Sequence, residues 1–140
     1  MKDTPLTPEE LERLRELLAD IAYTRLLGIE FDGAERGAAT LSMRARTELE
    51  RFGGIMHGGA LASLADSASA FAVLSTLEDG EQTVTADLTL HYLRPVTGGK
   101  LTARARVLRG GRRAATVSVE VFDDAGALVV TALTTYIKLR

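Results

Sequence analysis

Hydrophobic positions change their spacing several times along this chain, and each change predicts a different element. Leu11, Leu14, Leu17, Leu18 and Ile21 recur at helical intervals with charge between them, which predicts an amphipathic packing helix over about 7–20, a lid on one edge of the fold. Its start reads Thr7-Pro8-Glu9-Glu10: a hydroxyl N-cap, proline at the first helical position and a carboxylate three residues on, the form of a capping box. From Gly28 to Glu48 the period shortens to two. Ala39, Leu41, Met43 and Ala45 interleave with Thr40, Ser42, Arg44 and Arg46, which predicts two strands turning near Gly33 to Gly37. Past residue 80 the alternation returns, with breaks at Gly98-Gly99, Gly110-Gly111 and Asp123-Asp124-Ala125-Gly126, so four more strands joined as hairpins fit there.

Between the two alternating blocks lies HGGALASLADSASAFAVLSTL, residues 57–77, with no period-two signal. Leu61, Leu64, Ala65, Ala68, Ala72 and Ser75 form one stripe of a helix, yet the opposite side, with Ala62, Ala70 and Val73, is hardly more polar. A helix apolar on nearly every side is buried nearly all round. A stretch of about 20 residues could also cross a bilayer. Asp66, several serines, the lack of a flanking basic anchor and the amphipathic strands on both sides favour a central helix wrapped by an antiparallel sheet, an α+β fold.

Composition narrows the picture. The chain has 140 residues, the size of one domain spanning 1–140, and 46% of them are hydrophobic, enough for a core without disulfides or metal. Seventeen basic against 19 acidic residues leave a net charge of -2, which gives no field that would make nucleic acid or a membrane the default partner. There is no cysteine, so disulfides, thiolate metal sites and a cysteine nucleophile are excluded, and a reducing compartment is suited. The start of the sequence lacks the apolar core of a signal peptide, and a cytoplasmic location is expected.

Chemistry concentrates on the central helix. Asp66 is its only carboxylate, and an isolated carboxylate in apolar surroundings is either paired or kept for chemistry. A hydrogen bond to Ser63, Ser67 or Ser69 is the structural alternative. At the helix mouth, Gly58 and Gly59 let a ligand approach free backbone N–H groups where the helix dipole is positive, which suits a developing oxyanion; close packing of the preceding loop is the other reason for glycine there. Gly58 and Asp66 stand eight residues apart, roughly 12 Å along a helix axis. They cannot reach one carbonyl together, so if both act, Asp66 must come from a second copy of the chain in a twofold dimer.

Gly54-Ile55-Met56-His57-Gly58-Gly59 followed by Leu64-Ala65-Asp66 resembles the motif of PaaI-type thioesterases of the hotdog superfamily. Asp87 to Pro95 (DLTLHYLRP) and Gly126 to Val129 (GALV) are similar to later segments of that family, and the likeness covers about residues 25–140. The resemblance implies a sheet curled around the long helix, dimers whose sheets join edge to edge, and often tetramers built from two such dimers. It implies hydrolysis of an acyl-CoA thioester lying between subunits, with its carbonyl oxygen on the N–H of Gly58 and Asp66 as the catalytic carboxylate from the other subunit. Asp66 would attack the carbonyl or deprotonate a water that does. His57 takes the place of an organiser of the helix mouth, and Thr85 that of a hydroxyl beside the site, where strand propensity is its alternative explanation. The sequence departs from the family at Arg51, where many members carry asparagine.

Further candidates come from residue type. Arg94, Arg112 and Arg113 suit coenzyme A phosphates, and Arg51 could donate to the carbonyl or to a phosphate. Phe52 and Phe71 are candidates for the acyl pocket. No cofactor or metal is expected beyond the coenzyme A of the substrate. A non-catalytic acyl-CoA binding module is the alternative function, though no basic recognition helix accompanies the domain. A hydratase would need a histidine and a carboxylate as acid and base, and only His57 and His91 are available.

Overall fold

The computed structural model describes residues 3–139. The capping box forms as written. Thr7 accepts from the Glu10 N–H, the Glu10 carboxylate accepts from the Thr7 N–H at 3.0 Å, and helix α1 runs Pro8–Asp20. It buries Leu14 and Leu18, and Arg15 lies 5.0 Å over the ring of Phe31 on the strand beneath. A short helix α2, Ala22–Leu27, follows where no element was expected, closed by Gly28 in the left-handed region at φ 74°.

Six strands form one antiparallel sheet: β1 (Glu30–Glu35), β2 (Ala38–Arg44), β3 (Gln82–Tyr92), β4 (Lys100–Gly110), β5 (Ala114–Phe122) and β6 (Leu128–Leu139), in the order β1-β2-β4-β5-β6-β3. β1–β2, β4–β5 and β5–β6 are hairpins, as the alternation predicts. β3 and β4 are not. β3 pairs with β6 at the far edge, and the chain then crosses the end of the sheet to place β4 beside β2. Leu93 to Gly99 make this crossing under the mouth of the central helix, where the Val96 carbonyl accepts from Met56 N–H at 2.8 Å.

Helix α3 runs Gly58–Leu74, three residues shorter at its end than the apolar run, because the Ser75 and Thr76 hydroxyls bond back to the carbonyls of Ala72 and Val73. The sheet curls around it. Leu61, Leu64, Ala65, Ala68, Ala72 and Ser75 are all buried, and so is Val73 on the other side, where Ala62 and Ala70 are only half-buried. Arg36, in the β1–β2 turn, ties this core to the N-terminal segment by donating to the carbonyls of Ser75, Thr4 and Pro5 and to the Glu10 carboxylate. Among the described residues no helix is long and apolar enough to cross a membrane.

Candidate active site

The mouth of α3 is organised by its N-cap. His57 Nδ1 accepts from the Gly59 N–H at 2.8 Å, so this nitrogen carries no proton and Nε2 does. A Cβ on Gly59 would lie 2.9 Å from that nitrogen, so glycine is required there by the cap itself and not by a ligand. The Ala60 N–H donates to the His57 carbonyl at 3.0 Å. Of the first-turn donors, the Gly58 N–H alone has no acceptor among the described residues. Gly59 therefore offers no free donor, and Gly58 is the first-turn N–H left open to a ligand among the described residues.

Gly58 is held from the opposite side by a residue that the sequence reading missed. The Tyr92 hydroxyl donates to the Gly58 carbonyl at 2.8 Å, and a Cβ on Gly58 would meet the Tyr92 ring at 3.3 Å. The signal was available, since Tyr92 continues the inward parity of Leu88 and Leu90.

Asp66, on the third turn of α3, is half-buried and bound by two hydroxyls from the sheet. Thr85 donates to its Oδ1 at 2.9 Å, and the Tyr136 hydroxyl donates to the same oxygen and to the Asp66 main-chain carbonyl. Two of the three serines are engaged elsewhere: Ser63 donates to the Gly59 carbonyl and pairs with Tyr23, and Ser69 donates to the Ala65 carbonyl. Thr85 and Tyr136 are cross-strand partners, and the register slips between Thr85 and Asp87. That bulge decides the site. Leu88 and Leu90 pair with the inward Thr134 and Ala132, and strict alternation back from them would put Thr85 on the outer face; the extra residue, Ala86, turns it inward.

Tyr136 is 2% exposed. Burial, and then its hydrogen bond to Asp66, push its phenol well above the usual tyrosine range, so it stays a donor. Its contribution to stability is fully present below about pH 10, where the unfolded chain also keeps the proton, and is lost as pH rises above that toward the folded value. Unfolding by urea at increasing alkalinity should show this decline in the wild type and a flatter one in Tyr136→Phe.

A cleft of about 270 Å³ opens beside the helix mouth, lined by Gly58, Leu61, Ile55, Tyr92 and Arg94 among others. A larger one, about 680 Å³, lies between α1 and the turn after α3 and contains none of the candidate residues. Arg51 is not in the cleft. Its guanidinium donates to the Phe52 carbonyl at 2.9 Å and stacks 4.5 Å from the Phe52 ring, in a tight loop with Gly53 and Gly54 at φ 82° and 73°. Phe52 itself is 86% exposed. Phe71 is 1% exposed with its ring edge-on to Phe31, so it belongs to the core and not to an acyl pocket. Arg112 and Arg113 are exposed in the β4–β5 turn. The register sets them far from Arg94: Tyr92 faces Val130, Ala114 faces Ile137, and the seven steps between those two positions of β6 span about 23 Å. One chain thus brings together Asp66 with Thr85, and Gly58 with His57 and Arg94, but not the two groups.

Residues 53–130 match the family described as the Thioesterase superfamily. A protein of Saccharolobus solfataricus that carries an esterase name is 34% identical over 141 residues, covering 100% of this chain and 93% of that one. The medium/long-chain acyl-CoA thioesterase YigI of Salmonella typhimurium is 27% identical, over 81% of this chain and 83% of its own. Among solved structures, the PaaI protein from the phenylacetic acid degradation operon of Escherichia coli superposes with a TM-score of 0.85 at 26% identity, covering 92% of each chain.

Proposed function

This chain belongs to the Thioesterase superfamily and is a PaaI-like hotdog thioester hydrolase, and from that premise we propose that its substrate is an acyl-coenzyme A and its active site is assembled from two copies of the chain. The observation that carries the proposal is the separation of the two half-sites. An N–H with no acceptor among the described residues sits at the mouth of α3, and an anchored carboxylate sits eight residues along the same helix. β3 offers the means of joining them. It is an 11-residue edge strand, exposed along nearly its whole length, with Tyr92 at one end and Thr85 near the other. Antiparallel pairing with the same edge of a second chain brings the Tyr92 end of one against the Thr85 end of the other. The same pairing brings the Arg112-Arg113 turn of one chain toward Arg94 of its partner, which suits a ligand with separated phosphates.

In such a dimer the thioester carbonyl oxygen lies on Gly58 N–H at the positive end of α3, where developing charge is stabilised most. Asp66 of the facing chain either adds to the carbonyl carbon or takes the proton of an attacking water. His57 fixes the helix mouth through Gly59, and Tyr92 fixes the peptide that follows Gly58.

The test is thiol release from a panel of short, medium and aryl acyl-CoA thioesters. Turnover of at least one member, with a carrier-free acyl thioester of the same acyl group hydrolysed more slowly, supports the proposal. Tight binding across the panel without thiol release would make this chain a binding module instead.

A further inference from the structure

We infer that Asp66 reacts through Oδ2 alone, and that Tyr136, together with Thr85, is the positioning residue that makes this choice; the inference rests on Asp66 being the reacting carboxylate. An ionised carboxylate has two oxygens and about four acceptor sites. Here both hydroxyl donors converge on Oδ1, and Oδ2 has no partner among the described residues. Tyr136 does more than Thr85, because its one proton is shared between Oδ1 and the main-chain carbonyl of Asp66. The carboxylate is thereby tied to the backbone of its own helix turn, and rotation that would exchange the two oxygens breaks both hydroxyl contacts. A phenol is protonated throughout the neutral range, and the burial of Tyr136 carries its donor well into alkali.

The arrangement serves either chemical route. If Asp66 attacks, a bond forms from Oδ2 to the thioester carbon, the C–S bond breaks, and the leaving thiolate takes a proton from water. Oδ1 is then the carbonyl oxygen of the mixed anhydride, still held by two donors, and the hydroxide left by that proton transfer adds to the acyl carbon and cleaves the anhydride to the free acid and the Asp66 carboxylate. If Asp66 is a base, Oδ2 takes the proton of the water whose oxygen adds to the carbon, and that proton passes to the departing thiolate. In both routes Oδ1 anchors and Oδ2 reacts. Fixing a reacting atom in this way is worth roughly a hundredfold in rate when an ångström of misplacement is at stake.

The experiment is a double-mutant cycle on thiol release, with the folded state of each variant checked by thermal unfolding. Tyr136→Phe should lower kcat roughly ten- to a hundredfold with KM changed less than about twofold, and in the Asp66→Asn background it should change the residual rate less than about twofold. An equal loss in both backgrounds would show a purely structural role, and an unchanged kcat in folded Tyr136→Phe would show none; either overturns the inference. Should Tyr136→Phe not fold, Thr85→Val removes the other donor from the same oxygen, and a wild-type kcat in it overturns the anchoring of Oδ1. A wild type that releases no thiol, or an Asp66→Asn as fast as wild type, instead removes the premise and the inference with it.

Discussion

Asp66→Asn is expected to lower thioester turnover by roughly 10²–10⁴-fold, the range for loss of a positioned proton acceptor, while the protein melts where the wild type does. The geometry explains why the fold should tolerate the change. Both hydroxyls reach one oxygen of the side chain, and an asparagine carbonyl can accept from Thr85 and Tyr136 in place of Oδ1. What is lost is the charge and the acceptor at Oδ2, where an amide nitrogen now stands. Steady-state kinetics on the best acyl-CoA of the panel, beside a thermal melt, read both halves of the expectation. A rate within a few-fold of wild type would mean that another group does the chemistry.

Gly58→Pro should cost roughly 10²–10³ in kcat, the usual cost of one oxyanion donor. Proline deletes the N–H and is favoured at the first position of a helix, which Gly58 occupies. The residue before it must be extended, and His57 already is, at φ -65° and ψ 133°. A Cβ at this position comes nearest to the exposed Tyr92 ring, at 3.3 Å, and the ring must give by a few tenths of an ångström. Gly58→Ala meets the same ring but keeps the N–H, so it should retain most of the activity. Equal loss in the two variants would attribute the effect to crowding and not to the donor.

Much of the frame behind these expectations was legible in the chain. The Thr7–Glu10 capping box formed residue for residue, and the apolar run that opens at His57 became the buried helix with His57 as its cap. Strand positions were legible as well, but strand neighbours were not: alternation encodes which face a residue takes and says nothing about which strand lies beside it. That is why β3 was expected in a hairpin with β4 and is found beside β6. The Ala86 bulge is a sharper case. Read by parity, Thr85 belongs outside; its place in the candidate site came through family resemblance, and only the register shift explains it.

Tyr136 was legible in principle. It shares the inward parity of Ala132 and Thr134, and a phenol buried there needs an acceptor; the one carboxylate on the helix facing that row is Asp66. Arg51 marks the opposite limit. Its departure from the family pattern is visible in sequence, but its engagement with Phe52 depends on the two left-handed glycines of the loop.

The central claim is that a working site takes Gly58 from one chain and Asp66 from another, and subunit mixing tests it most directly. Gly58→Pro and Asp66→Asn chains are co-expressed with different tags, and the mixed dimer is measured against each parent. If the site is shared, a mixed dimer has one site with both defects and one with none, so a random mixture should recover about a quarter of wild-type activity from two nearly inactive parents. Mixed dimers that form and stay as inactive as their parents would contradict the shared site, as would a monomer that turns over at the wild-type rate.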